Sequence, residues 1–245
     1  MASREELVFK IKLGEQAERF EDMVNFSNEL IKQNPELNND ERNLISVAYK
    51  NSIGTRRTSW RALAAIEAKD EEKGGKHKEV IANYKKIVIS ELEKISNEVV
   101  KMIDTYLLPK STPGDTKIFY LKMKGDYYRY YAEALSGEKQ QQVGKLAAEA
   151  YEAATKDAES ALAKTNPIRL GLALNYSVFY YEIMNNPDKA ITIAKTAFDG
   201  GIADLDNLED EVYKDSASIM QLLRDNLTLW QSEKDEKGGD AKEEK

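Results

Sequence analysis

Five prolines, Pro35, Pro109, Pro113, Pro167 and Pro187, limit what this chain can fold into more than any other feature. A proline ring lacks the backbone N–H and clashes with the carbonyl one turn back, so helix interiors and central strands exclude it. All five fall in polar breaks and none inside a periodic segment, the pattern of loops that join helices. Between the breaks, apolar residues recur at helical spacing. No run alternates Val, Ile and Thr with period two as a strand would. The expected fold is all-α.

Taken in order, helices are expected over 3–17 and 20–33, then a break, NPELNNDE, in which Asn39 or Asp40 caps a long helix over 40–69. KDEEKGGK closes that helix, and another over 76–108 carries Ile81, Val88, Leu92 and Val99 on one side. After PKSTPGD, with Asp115 or Thr116 as cap, helices follow over 116–136, 142–163, 168–185, 188–204 and 213–232. Nine helices with short connections favour antiparallel neighbours. No tetratricopeptide pattern repeats along them. Residues 233–245 hold no apolar residue beyond one Ala and are expected to be a disordered charged tail on a single domain over 1–232.

A hydrophobic fraction of 41% allows a real core, and 32% charged residues imply helices with wet outer faces. The net charge of −7 argues against a general binder of nucleic acid or anionic membranes. Any anion site must then be a local concentration of Lys and Arg. The absence of Cys excludes disulfides, thiolate metal sites and cysteine nucleophiles. The start, MASREELVF, has charges where a signal peptide needs an apolar run, and no segment reaches transmembrane length. A soluble intracellular protein is expected, cytoplasmic with the nucleus as a second compartment.

RNLISVAYKNSIGTRRTSWR (42–61) concentrates cations. At 100° per residue, Lys50, Arg57 and Arg61 fall within about 40° of one another, opposite Leu44, Ile45, Ala48 and Trp60. From this segment alone, a solvated basic stripe and a face for an anion both remain open. IFYLKMKGDYYRYYAEAL (118–135) places Lys122, Asp126, Arg129 and Glu133 in a stripe of alternating sign. Such a stripe is either a row of weak exposed ion pairs or a frame that fixes Arg129 for a ligand. IRLGLALNYSVFYYEI (168–183) sets Leu174, Asn175, Val178 and Glu182 along one side, and YKDSASIMQLLRDNLTLW (213–230) repeats the mixture with Ile219, Leu222, Asn226, Leu229 and Trp230.

From KLGEQAERFEDM (12–23) to Trp230 the chain resembles the 14-3-3 proteins. RNLISVAYKNSIGTRRTSWR and YKDSASIMQLLRDNLTLW resemble the two family signatures, and KMKGDYYRY and NPIRLGLALNYSVFYYEI match further family blocks. The resemblance implies nine antiparallel helices forming a cup with an amphipathic groove. Residues 1–108 would supply dimerisation and the floor, and 116–232 the groove walls. It assigns phosphate binding to Lys50, Arg57, Arg129 and Tyr130, and the peptide backbone to Asn175 and Asn226. Leu174, Val178, Ile219, Leu222 and Leu229 would form an apolar wall, completed by Lys122, Glu182 and Trp230. The implied partners are clients phosphorylated on Ser or Thr, and a second copy or a paralogue in a dimer. No cofactor, nucleic acid or membrane insertion is implied.

Two departures accompany the resemblance. At the implied dimer seam, with Leu13, Ala17 and Tyr84, Arg19 and Glu91 are present as a cross-subunit pair, but Asp22 faces Ile87 where the family has a Lys. Gly200-Gly201 replaces helix formers, at a cost of roughly 1 kcal/mol per Gly. Ser59, in a basic context suited to a basophilic kinase, resembles a family position whose phosphorylation loosens the dimer. An enzyme is disfavoured: there is no metal cluster in sequence, no Gly-rich phosphate loop, and the single His77 lies in a polar turn. A helical scaffold for unmodified peptides would fit the fold but leave the cations without a purpose. A phosphopeptide-binding adaptor accounts for cations, Asn pair and apolar wall together.

Overall fold

The computed structural model describes residues 2–205 and 209–243, and these residues form nine α-helices and no strand. The chain divides into two compact units, one ending at Ser111 and the other starting at Thr112.

In the first unit, α1 (Arg4–Gln16) and α3 (Asn39–Glu72) begin with the same device. The Ser3 hydroxyl accepts from the Glu6 N–H while the Glu6 carboxylate accepts from the Ser3 N–H, at 3.1 and 2.7 Å. Asn38 and Glu41 do likewise at 2.9 and 3.0 Å, so the cap of α3 is Asn38 and not Asn39 or Asp40. Glu41 has a second task. Arg4 Nη2 lies 2.6 Å from its carboxylate, which ties the start of α1 to the start of α3. Burial pushes the Glu41 carboxyl up, but Arg4 and the Asn38 N–H outweigh it and leave it below the ordinary value.

Helix α2 (Phe20–Gln33) lies so close to α1 that a Cβ on Gly14 would sit 2.8 Å from Met23 Cγ. Gly74 and Gly75, at φ 97° and 66°, turn the chain from α3 into α4 (Lys78–Met102), a backbone shape that disfavours side chains. His77 is exposed as expected, with its ring Nδ1 2.9 Å from Asp70. A π-helical turn, Ile103–Leu107, and a short 3-10 segment, Leu108–Lys110, end the unit. Its core is Leu7, Ile11, Met23, Leu30, Ile45, Tyr49, Ile53 and Leu92, with Val99 and Ile103 at the far end.

The second unit contains α5 (Asp115–Glu133), α6 (Gly137–Ala161), α7 (Pro167–Glu182), α8 (Pro187–Ile202) and α9 (Asp210–Glu243). Helix α6 starts five residues before its expected start: Gly137, at φ 62°, turns directly into the helix and Glu138 favours its N-terminal dipole. Alanines at 147, 150, 154 and 158 form a low ridge on α6 that neighbours approach closely. A Cβ on Gly125 of α5 would fall 2.8 Å from the Tyr151 ring. An Asn-Pro pair opens both α7 and α8, with the Asn166 and Asn186 side chains accepting from N–H groups of the first turn and proline at N1.

The tail differs from its expectation. The sequence places the end of order after 232, yet α9 continues to Glu243. Glu, Lys, Asp and Ala can propagate a helix without apolar residues. Two side chains past 232 also reach neighbouring helices: Glu233 accepts from the Tyr181 hydroxyl, and Lys234 Nζ lies 2.6 Å from Asp188. Residues 244 and 245 of that tail lie outside the described residues.

Candidate functional site

On α3, Lys50 and Arg61 are exposed and Arg57 is half-buried, as the helical wheel anticipates for a cation row. The neighbouring Arg56 has a different role. It points at Glu21 of α2, at 2.7 Å, and at Glu91 of α4, at 3.1 Å, and so clamps three helices.

On α5 the alternating stripe becomes a buried cluster around Asp126. Its Oδ1 accepts from the Tyr151 hydroxyl at 2.6 Å and from Asn175 Nδ2 at 2.8 Å, while Lys122 Nζ donates to Oδ2 at 2.9 Å. Arg129 Nη2 stands 3.6 Å from the same carboxylate, and Arg129 Nε donates to the Tyr151 hydroxyl at 3.1 Å. The guanidinium also lies 4.7 Å from the centre of the Tyr130 ring. Burial pushes the Asp126 carboxyl up, but Lys122, Arg129 and the Tyr151 hydroxyl outweigh it and hold it below the usual carboxylate range. Burial works against the charge of Arg129, yet Tyr151, Tyr130 and Asp126 raise its pKa above the ordinary guanidinium value. Burial, and then Asp126, raise the Tyr151 hydroxyl well above the ordinary phenol. At neutral pH Asp126 is therefore an anion, Arg129 a cation and Tyr151 a neutral donor.

Lys122, Arg129 and Asn175, which the resemblance assigns to a ligand, are thus oriented by Asp126 and Tyr151, which it does not name. The alternating charges marked Asp126 as a frame for Arg129. Tyr151, on the next helix, carries no such signal in sequence. The same face extends to α9, because a Cβ on Gly171 of α7 would meet Lys122 Cε at 3.7 Å and Ile219 Cδ1 at 3.9 Å. Leu174 and Val178 of α7 and Asn226 of α9 are half-buried, whereas Leu222, Leu229 and Glu182 are exposed. Trp230 stands apart. It is buried and stacked on Tyr181 with ring centres 4.7 Å apart, so most of its surface serves the packing of α9 on α7.

The seam residues all belong to the first unit. Leu13, Ala17, Tyr84 and Ile87 are exposed, an apolar set without cover in the single chain. Arg19 pairs with Asp22 of its own helix, and Glu91 with Arg56. The expected Arg19–Glu91 pair would compete with both. Ser59, whose hydroxyl donates to Thr55 O at 3.0 Å, lines a hollow of about 390 Å³ together with Leu63, Tyr84 and Ile87. Among the described residues, no group of three or more His, Cys, Asp or Glu could hold a metal ion, and no helix is long and apolar enough to cross a membrane.

Nine α-helices among the described residues, with Lys122, Arg129 and Asn175 held around Asp126, define an all-helical protein with a preset cation–amide cluster. Comparison with known proteins says which one: a family model described as 14-3-3 protein matches residues 10–231. Protein BMH1 of Saccharomyces cerevisiae is 52% identical, over 96% of this chain and 89% of that protein. The 14-3-3-like protein GF14 psi of Arabidopsis thaliana is 51% identical over 98% and 95%, and 14-3-3 protein beta/alpha of Homo sapiens 51% over 98% and 97%. The chain belongs to the 14-3-3 protein family. It is a client-binding adaptor and not an enzyme.

Proposed function

We propose that the chain recognises client segments by their phosphoserine or phosphothreonine, with Lys50, Arg57, Arg129 and Tyr130 taking the phosphate. A phosphate brings a charge of about −1.5 to −2 and three acceptor oxygens, which guanidinium forks match in pairs. The observation that carries this reading is the Asp126 cluster: it presets Arg129, Lys122 and Asn175 on one face before any ligand arrives. Asn175 and Asn226 can each donate to and accept from an extended peptide backbone. Leu174, Val178, Ile219, Leu222 and Leu229 offer apolar surface to the flanking side chains, with Glu182 and Trp230 at the edge of that set.

The partner of the exposed set Leu13, Ala17, Tyr84 and Ile87 is a second 14-3-3 chain, the same or a paralogue. Phosphate on Ser59 would place charge in the hollow beside Tyr84 and Ile87 and weaken the pair. Two linked sites would raise the avidity for a doubly phosphorylated client by about 10²–10⁴ where the spacing fits. Such a complex can clamp a client's shape, cover a targeting segment or bridge two clients in the cytoplasm or nucleus.

Fluorescence anisotropy with an RSXpSXP-type peptide and its unphosphorylated twin tests the reading. The phosphorylated form is expected to bind at least about a hundredfold tighter. Equal affinities would replace it with a scaffold for unmodified peptides.

A further inference from the structure

Helix α7 presents a second face that the peptide reading leaves unused. At 100° per residue, Leu174, Asn175, Val178 and Glu182 share one arc of about 100°, while Arg169, Leu172, Ala173 and Tyr176 share another on the opposite side. The second arc lines a cavity of about 290 Å³ between α6, α7 and α8, closed on the α8 side by Ile193 and Ala197. This is near the lower end of the sizes that hold a single small ligand.

Its walls are largely apolar. Tyr176 contributes its ring, since its hydroxyl is already engaged with Glu152 at 3.3 Å and Tyr180 at 3.2 Å. Cations stand at one end. Arg169 Nη1 donates to Leu162 O at 2.7 Å and Ala158 O at 3.5 Å, which fixes the guanidinium at the cavity edge with Nε and Nη2 not used in either bond. Lys164 lines the same end, and among the described residues its amine has no ion-pair partner. Glu159 is the one carboxylate in the lining, so the local balance is positive within a chain of net charge −7.

Gly200 adds an observation of its own. A glycine inside a helix costs roughly 1 kcal/mol, and Gly201 next to it has a packing reason, because a Cβ there would lie 3.1 Å from Met220 Sδ. Gly200 has no such backbone or core neighbour. It faces the cavity, and a Cβ on it would meet only the Lys164 stem, at 3.3 Å from Cδ. The glycine lets the Lys164 side chain lie across α8 at the cationic end instead of being pushed off it.

We infer that the cavity between α6, α7 and α8 is a binding site for a small anionic amphiphile, a medium-chain carboxylate, with its chain against Leu172, Tyr176, Ile193 and Ala197 and its carboxylate at Lys164 and Arg169. The site is separate from the peptide face and does not depend on the phosphopeptide reading. The probe is decanoate, kept below the concentration at which it forms micelles, titrated into the full chain by calorimetry and by the Ile193 methyl NMR signals. Decanol and decyltrimethylammonium serve as neutral and cationic counterparts.

Saturable decanoate binding with shifts at Ile193 is expected, tighter than decanol by about tenfold. Ala197→Phe should abolish it, and Lys164→Glu should weaken decanoate by about tenfold while sparing decanol. Lys164 is exposed, so that second variant reads the site even if Ala197→Phe perturbs folding. Decanoate should leave the affinity for the phosphorylated peptide unchanged. The inference falls if decanoate does not saturate, if decanol or decyltrimethylammonium binds as tightly, if Lys164→Glu leaves decanoate binding unchanged, or if the phosphopeptide displaces decanoate.

Discussion

The cations of α3 and those of α5 belong to the same proposed task but are held in opposite ways. On α3, Lys50 and Arg61 are exposed and Arg57 is half-buried. On α5, Arg129 is buried beside Asp126, and Tyr151 and Asn175 complete the bonds around the carboxylate. An exposed cation can be altered with little effect on the fold, whereas a buried one is part of the fold. Binding energy and folding energy are therefore separable on α3 and coupled on α5.

The largest expected effect breaks the buried cluster. Asp126→Ala leaves Arg129, Lys122, the Tyr151 hydroxyl and the Asn175 amide without their shared acceptor, and removing one partner of a buried pair costs about 3–5 kcal/mol. Urea denaturation of the full chain should show that loss, and a change below 1 kcal/mol would mean the cluster is far more hydrated than its burial indicates. Acid sharpens the same point. The Asp126 carboxyl has its pKa depressed by folding, so its contribution is fully present above the ordinary value of 3.8 and fades as pH falls toward the lower folded value. Asp126→Asn should flatten the stability curve in that window, and an unchanged slope would assign acid sensitivity to other carboxylates.

Lys50→Glu is the converse. Surface substitutions usually shift stability by no more than about 0.5 kcal/mol, so its melting should match the wild type while phosphopeptide binding falls below detection. A folded Lys50→Glu chain that binds with wild-type affinity would remove α3 from the site.

Smaller effects are expected at the end of α9. Truncation after Ser232 removes the half-buried Tyr181–Glu233 contact and the exposed Lys234–Asp188 pair, the latter worth about 0–1 kcal/mol. Helicity by circular dichroism should fall slightly and melting shift by a few degrees at most. The smallest signal is a single phenol. Glu233 beside the Tyr181 hydroxyl, together with burial, pushes its pKa up to about 12. The folded value is the higher one, so this tie is intact below the ordinary phenol range and is lost as pH rises toward 12. Ultraviolet titration of Glu233→Gln should lower one tyrosine from about 12 toward the ordinary value of 10.0, and an unchanged titration would mean that the contact does not persist in solution.

The sequence by itself determined the helical class, because the prolines sit only where helices stop and apolar spacing between them is helical. It also placed Arg57 and Arg61 in register with Lys50, since a wheel is a local property. Helix limits were less legible at Gly137 and beyond Ser232, where backbone geometry at one glycine and contacts to Tyr181 and Asp188 decide the outcome. Only the tertiary structure decided that Trp230 packs against Tyr181 of α7 and that Arg19 and Glu91 already have partners within the chain. It also decided the Asp126 cluster, whose bonds join residues 25 and 49 positions apart. Periodicity fixes which way a side chain leaves its own helix, but the partner that makes an aspartate a structural anion lies on another helix, and its distance is set by packing around Gly125 and the alanine ridge of α6.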